Sequence, residues 1–369
     1  MKIVYITDQV YRHGGIEKVL SQKACYFADY CGDDVTILTI NQNGRKPAYS
    51  FSERIKFVDL GVTYVSGKSY FNPKNLKKLP THRILLQQAL KLINPQVIIS
   101  CNYGPDFYIL PFVGRNIPKI KEFHSSRFFE DENISGLKAL ILKKIGQWIE
   151  RQYSSIVVLN NCEAQYYCND HISVIPNPAE TGGGHADVTN KTILAAGRLA
   201  PVKNFGELIE AFSLVAQDFP DWQLHLYGED YDGTQNKLQD LIDAKDLSAQ
   251  IIFMGVTNDL KNKMQGYSIY AMTSETECFP MVLLESLSVG LPVITYNCPT
   301  GPKHIVTDRE DGFVVPYKNL TIFAEQLKKM MEDESLRKNM AKKGIENMNR
   351  FNINLVMQRW RTLLVSLVR

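Results

Sequence analysis

Glu277 and Glu285 stand eight positions apart in Glu277-Cys278-Phe279-Pro280-Met281-Val282-Leu283-Leu284-Glu285, a spacing that lets two carboxylates accept hydrogen bonds from separate sets of hydroxyls. The first falls in a loop after the strand-like run Ser268–Met272; the second lies one turn inside a helix expected to begin near Met281. Pro280 suits the position just before or at the first helical residue, where its missing donor costs least. Unpaired N–H groups and the partial positive charge at the start of such a helix favour phosphate. Hydroxyl acceptors beside a phosphate cradle suit a nucleotide-activated sugar. Taken alone, a Glu pair at this spacing is more often two solvated surface charges.

Three further groups bear on the same chemistry. Gly197-Arg198 and Lys203-Asn204 follow the apolar run Thr192–Ala196, so a planar guanidinium and a mobile ammonium would stand at a strand's carboxyl end, able to pair a diphosphate. Gly14-Gly15-Ile16-Glu17 follows the run Lys2–Thr7; its glycines let the backbone approach a ligand at a helix N-terminus, or serve a tight turn at positive φ. The pattern is not G-x-G-x-x-G, so a dinucleotide fingerprint is unsupported. His124, ending Lys119–Phe123 and followed by Ser125-Ser126-Arg127, can hydrogen-bond a sugar hydroxyl or orient an acceptor; a satisfied structural histidine fits equally. His13, His82, His171, His185, His225 and His304 have no partner pattern that suggests a metal.

These residues need elements to hold them. Strand-like runs alternate with amphipathic, helix-length segments along the chain, the pattern of an α/β fold with parallel sheets. The first half offers strands at Lys2–Thr7, Val35–Ile40, Lys56–Leu60, Val97–Cys101, Lys119–Phe123 and Ser155–Leu159, and helices at Ile16–Tyr30, His82–Ile93 and Gly136–Tyr153. The polar run Thr181-Gly-Gly-Gly-His-Ala-Asp187 breaks the pattern, which then resumes through Phe313–Val315. Two successive α/β units predict two facing Rossmann-like domains, with ligands at the carboxyl ends of their strands in the cleft between them. Helices at Glu334–Asn349 and Asn354–Val368 close the chain, and the last is expected to fold back across the junction.

At 369 residues the chain exceeds one ordinary hydrophobic core, and its 44% hydrophobic and 22% charged composition is that of a soluble globular protein. No run approaches a membrane span and no signal-peptide pattern opens it, so a cytoplasmic protein is expected, with peripheral contact at the anionic inner face of the plasma membrane. Seven cysteines without a C-x-x-C pair fit reduced thiols. Charge is uneven: to Pro178 there are 22 Lys+Arg against 15 Asp+Glu, leaving 20 against 24 of the totals of 42 and 39. A basic first half fits an anionic partner, a membrane surface or a phosphorylated substrate, and no nucleic-acid-binding motif accompanies it. Gly136–Tyr153 carries Leu137, Ile141, Ile145, Trp148 and Ile149 on one stripe beside Lys138, Lys143, Lys144 and Arg151. The ordinary reading of that stripe is a core-facing helix with a solvated basic face; the rival is a helix lying on an anionic membrane.

Taken jointly, Gly14-Gly15-Ile16-Glu17, His124, Gly197-Arg198 with Lys203-Asn204, and Glu277-x7-Glu285 resemble the retaining glycosyltransferases of family 4, as do Gly290-Leu-Pro-Val-Ile294 and Asp311-Gly-Phe-Val-Val-Pro316. The resemblance implies a GT-B fold with an acceptor-binding domain over residues 1–178, a donor-binding domain over 179–350, and a C-terminal helix over 351–369 packing back on the first. It implies a hexose or N-acetylhexosamine donor, with UDP as nucleotide, and a glycan or lipid-linked glycan acceptor in polysaccharide synthesis. Gly14 and Gly15 would meet the diphosphate, Arg198 and Lys203 would stabilise the leaving nucleotide, and Glu285 would hold ribose. Glu277 would bind the transferred sugar, helped by the backbone from Phe279 through Pro280 and Met281 to Val282, while His124 would contact sugar and acceptor.

No D-x-D motif stands out, and the two cations would replace a metal; no metal or other cofactor is expected. Three departures matter: Cys278 and Pro280 replace small glycines, Cys298-Pro-Thr-Gly-Pro302 replaces a Gly-Gly turn, and His304 takes an often acidic position. Rival functions are a GT-B sugar-nucleotide epimerase, a phosphorylase, and a catalytically silent nucleotide-sugar-binding subunit.

Overall fold

Continuous apolar runs such as Ile3-Val4-Tyr5-Ile6 have no polar face to give to solvent, so they must lie inside a sheet covered on both sides. The computed structural model describes the whole chain except residues 66, 129–135, 181, 183, 231 and 369, and describes only the backbone of residue 138. In it those runs become two parallel sheets. The first comprises β1 (Lys2–Thr7), β2 (Asp34–Thr39), β3 (Lys56–Asp59), β4 (Val97–Ser100), β5 (Lys119–Glu122), β6 (Ser155–Val158) and β7 (Ile172–Val174), in the order β3-β2-β1-β4-β5-β6-β7. The second comprises β8 (Thr192–Ala196), β9 (Gln223–Tyr227), β10 (Ile251–Gly255), β11 (Ile269–Met272), β12 (Val293–Tyr296) and β13 (Gly312–Val315), ordered β10-β9-β8-β11-β12-β13. Strand order reverses between β1 and β4 in one sheet and between β8 and β11 in the other, and such a reversal opens a crevice at the carboxyl ends of the strands.

The chain divides into two compact units, Met1–Pro178 with Asn354–Arg369, and Ala179–Ile353. The helix Ile353–Val368 belongs almost wholly to the first. Its Trp360 is 1% exposed, the Lys23 ammonium lies 4.2 Å from its ring centroid, and Arg361 Nη1 meets Asp33 Oδ2 at 2.6 Å. The run 179–187 joins the second unit: the Ala186 N–H donates to Val289 O at 2.7 Å and the Asp187 N–H to Gln265 O at 2.8 Å. Positions 181 and 183 of that polar run, and 129–135 of the loop expected to meet an acceptor, lie outside the described residues.

Strand β5 breaks the apolar rule. Its Lys-Ile-Lys-Glu sequence is buried throughout, and each charge has partners. Lys119 donates to the carbonyls of Gly114 and Ile117, both at 2.8 Å; Lys121 donates to Ser100 Oγ at 3.0 Å and to the Asn102 carbonyl. Glu122 takes the fully buried Lys23 ammonium.

Three expectations needed correction. Strand β7 was not anticipated, because Ile-Ser-Val is too short to stand out. The helix expected over Ile16–Tyr30 runs Gly15–Cys25, and its last turn, Tyr26–Tyr30, is π-helical. The core-facing reading of Gly136–Tyr153 fails: the helix is Leu137–Glu150, with Leu137 74%, Leu140 50%, Ile141 51%, Ile145 40% and Trp148 52% exposed. Its inner side is instead Gly146, Ile149 and Glu150, whose Oε1 binds Arg127 Nη2 at 2.5 Å. A buried carboxylate with a guanidinium clamp fixes that side inward, so the apolar stripe points out. Among the described residues no helix is long and apolar enough to cross a membrane.

Trp360→Ala is expected to destabilise the first unit by about 3–5 kcal/mol, since it empties a buried aromatic site and uncovers the Lys23–Glu122 pair. Urea unfolding followed by far-UV circular dichroism measures this; an unchanged midpoint would show that the C-terminal helix adds nothing to the unit.

Candidate functional site

In the second unit the reversal point gathers the predicted residues. After β8 the chain stays paired with the chain after β9: the Gly197 N–H donates to Tyr227 O at 3.0 Å and the Leu199 N–H to Glu229 O at 2.9 Å. Gly228 has to be glycine, because a Cβ there would collide with the Gly197 carbonyl. A Cβ at Gly197 would sit 3.2 Å from three carbons of the Lys203 side chain, so the lysine stem lies across this glycine. The 3-10 turn Pro201–Lys203 then delivers the chain to Asn204, whose φ of 51° is left-handed, and to the helix Phe205–Ser213.

The loop after β11 is stitched to this one. Thr273 Oγ1 donates to Asn204 O at 2.9 Å, and the Glu275 N–H donates to Val202 O at 2.9 Å. Lys203 Nζ meets Glu277 Oε1 at 2.5 Å in a mostly buried ion pair. A third loop supports Glu277 from behind: Thr300 Oγ1 donates to its carbonyl at 3.2 Å, with Thr300 at φ 66°, and a Cβ at Gly301 would lie 2.6 Å from that carbonyl. The Cys-Pro-Thr-Gly-Pro departure is therefore the cradle of the Glu277 backbone. Cys298 within it is buried, and burial first and Glu277 second push its thiol up to about 12.

The helix Met281–Ser288 starts where expected, with Pro280 as the residue before its first turn and no side chain capping its N–H groups. Cys278 and Phe279 are buried, Phe279 packing edge-on to Phe351 at 5.5 Å, while Met281, Val282 and Glu285 are half-buried. Beneath them Tyr270 donates to Ala196 O at 3.1 Å. Burial raises its hydroxyl pKa, and the charges of Glu277 and Glu285 raise it further, so both carboxylates act on one hydroxyl. Arg198 is exposed and makes no ion pair among the described residues.

The first unit gathers a second set at its own reversal point. Gly14 precedes the helix Gly15–Cys25 at φ −132°, so the alternative of a turn at positive φ is wrong. Instead the Glu17 carboxylate folds back over Gly14, into the space a Cβ there would take. Glu17 accepts from Gln9 Nε2; burial raises its pKa, and His124 is among the neighbours that lower it. His124 Nε2 meets Glu122 Oε1 at 3.3 Å, the atom that also binds Lys23. Lys23, then His124, hold Glu122 well below the usual carboxylate range against its burial. His124 is therefore anchored, as the structural reading has it, and it stands close enough to Glu17 for its charge to act there.

Sequence reasoning missed several groups. Asp8, just past β1, shares Gly104 with the buried Asp106: a Cβ on that glycine would lie 2.8 Å from Asp8 Oδ1 and 2.9 Å from Asp106 Oδ1. Burial, and then the Asp106 charge, raise Asp8 to about 6. In the two stitched loops of the second unit Asn204 Nδ2, Ser274 Oγ and Thr276 Oγ1 are buried and have no hydrogen-bond partner among the described residues. The alternation Thr273-Ser274-Glu275-Thr276-Glu277 was the available signal for the latter. Among the described residues no cluster of three or more His, Cys, Asp or Glu could hold a metal ion.

Two α/β units, each built on a parallel sheet whose strand order reverses, have the architecture of the GT-B class. Residues 13–182 match the family model described as Glycosyltransferase Family 4, and residues 182–347 match Glycosyl transferases group 1. Together the matches run through nearly the whole chain, which belongs to the glycosyltransferases.

A relative in Haemophilus influenzae described as an uncharacterized glycosyltransferase is 26% identical over 98% of this chain and 99% of its own length. An exopolysaccharide phosphotransferase of Streptomyces coelicolor is 25% identical over all of this chain but only 41% of its own length. Among solved structures, an S. aureus TarM variant in complex with fondaparinux, α-GlcNAc-glycerol and UDP superposes with a TM-score of 0.81 at 14% identity, covering 99% of this chain and 100% of that one. At that identity the likeness carries the fold.

Asp8 gives a pH test. Its carboxyl is neutral in both states below the ordinary value of 3.8, and as pH rises through about 6 the folded state must carry a charge it disfavours, so stability is lost. Asp8→Asn is thus expected to stabilise the first unit by about 1–3 kcal/mol at pH 8 and to match the parent at pH 4, by urea unfolding at both pH values. Equal stability at pH 8 would remove the burial argument.

Proposed function

We propose that this chain is a retaining glycosyltransferase that moves a hexose or N-acetylhexosamine from a UDP-sugar to a glycan or lipid-linked glycan during synthesis of a surface polysaccharide. The observation that carries the reading is the Lys203–Glu277 pair, held by stitched loops at the carboxyl ends of β8 and β11. An ammonium has three N–H groups, and Glu277 Oε1 engages one, leaving donors for a diphosphate, with the exposed Arg198 on the same loop. Cations placed where negative charge grows on the departing nucleotide stabilise the transition state more than the ground state. Glu277 then has one oxygen tied to Lys203 and the other assigned to sugar hydroxyls, and Glu285, one turn into the helix, is assigned to ribose.

The remaining roles follow the same logic. Backbone N–H groups of Met281 and Val282, behind Phe279 and Pro280, would meet the sugar or phosphate at a helix start without a side-chain cap. Gly14 and Gly15, with His124 oriented by Glu122, would serve the diphosphate and the acceptor from the first unit. Retention would follow front-face attack, with the leaving phosphate taking the acceptor proton. The two cations would make a divalent ion unnecessary. UDP is favoured by the ligand in the TarM complex, and a polysaccharide pathway by the description of the Streptomyces relative, of whose length this chain spans 41%.

Arg198→Ala and Glu277→Ala are expected to lower transfer by about a thousandfold or more, with unchanged circular dichroism; full turnover in either variant would sink the assigned roles. Wild-type activity is expected to persist in EDTA. A panel of UDP- and GDP-sugars with mass spectrometry of products separates the rivals. An epimerase converts donor without acceptor, a phosphorylase needs free phosphate, a phosphotransferase leaves phosphate on the product, and a silent subunit binds UDP without turnover.

A further inference from the structure

The outward stripe of the helix Leu137–Glu150 is not an isolated patch. Leu140, Ile141, Ile145 and Trp148 line a shallow apolar depression together with Lys144. Trp148 stacks on Phe112 at 5.6 Å, and Phe112 in turn closes a groove walled by Leu76, Leu79, Pro80 and Ile84 with Arg83 among them. The stack makes one continuous apolar surface of two elements far apart in sequence. Exposed patches of this kind mark an interaction surface.

Charge around the patch says what it meets. From Leu60 to Lys121 the chain has nine Lys or Arg and a single acidic residue, Asp106, which is buried. The acid of the helix itself, Glu150, is buried against Arg127. Arg83 is exposed in the groove and Lys144 in the depression, and Lys74 and Lys77, exposed as well, flank the groove residue Leu76 in the chain. The run Glu130-Asp131-Glu132 lies outside the described residues. A second copy using the same face would bring two basic rims together, which like charges oppose. A bilayer with anionic headgroups satisfies both halves of the pattern: apolar side chains enter the headgroup–acyl boundary, and lysine and arginine stems reach up to phosphates.

We infer that this face of the first unit docks on an anionic lipid bilayer, with the helix Leu137–Glu150 lying in the interface and Trp148 as its aromatic anchor. The inference stands independently of the transfer reaction, since binding needs no sugar nucleotide. The test is co-sedimentation of the full chain with vesicles of phosphatidylcholine containing phosphatidylglycerol, against vesicles of phosphatidylcholine alone. The chain is expected to sediment with the anionic vesicles and to be released by salt. Ile141→Ser with Trp148→Ser should weaken binding by about tenfold or more. Arg83→Glu with Lys144→Glu should abolish the preference for phosphatidylglycerol. All four side chains are exposed, so thermal melts of both double variants should match the parent, and matching melts make the vesicle result decisive. Wild-type chain left in the supernatant, or the apolar double variant sedimenting like wild type, would overturn the inference. So would sedimentation velocity showing a dimer that the apolar variant splits, which would assign the face to a second copy.

Discussion

Everything functional in this chain hangs on one constraint of parallel sheets. Every strand points the same way, so all loops that follow strands emerge on one edge, and where the strand order reverses, two neighbouring loops are led apart and leave a crevice. Here the reversal falls between β8 and β11 in one unit and between β1 and β4 in the other. The loop after β8 holds Gly197, Arg198 and Lys203; the loop after β11 holds Glu277. Residues 74 positions apart in sequence therefore meet at 2.5 Å because their strands are hydrogen-bonded neighbours.

Precision at that crevice comes from backbone contacts that only certain residues allow. Gly228 lets the β8 and β9 loops touch, Gly301 lets the third loop press on the Glu277 carbonyl, and Asn204 and Thr300 take left-handed conformations. Thr300 turns that conformation to use by donating its hydroxyl to the same carbonyl. The first unit uses buried charge instead. Lys23 joins the first helix to Glu122 of β5 and lies against Trp360 of the last helix, so an ion pair and an aromatic face together fix His124. Removing one partner of such a pair strands the other in the core, which makes the arrangement costly to break even where it adds little net stability.

The second site was the more legible of the two. Glu277, Glu285, Arg198 and Lys203 were all singled out, and the helix Met281–Ser288 begins where its pattern said, because Pro280 and apolar periodicity are strong local signals. The first was less so. The Gly14-Gly15 pair was noticed, but the folding of the Glu17 carboxylate back over Gly14 is encoded by no spacing. Asp8 and Asp106 passed unremarked because the glycine they share, Gly104, lies 96 positions beyond Asp8. The helix Leu137–Glu150 was placed correctly and faced wrongly, since periodicity reports that a stripe exists and not which side a buried Glu150–Arg127 clamp will hold inward.

By itself the sequence determined two α/β units with parallel sheets, most strand positions to within a residue, and the residue types that suit a nucleotide sugar. These depend on short-range pattern: apolar runs, helical period and the punctuation of glycine and proline. Only the tertiary structure decided that Lys203 reaches Glu277, that the Cys298–Pro302 turn cradles it, that His124 answers to Lys23 through Glu122, and that the apolar stripe beside Trp148 faces outward. Those outcomes depend on which strands become neighbours and which buried charges find partners, and both are settled by contacts between residues distant in the chain.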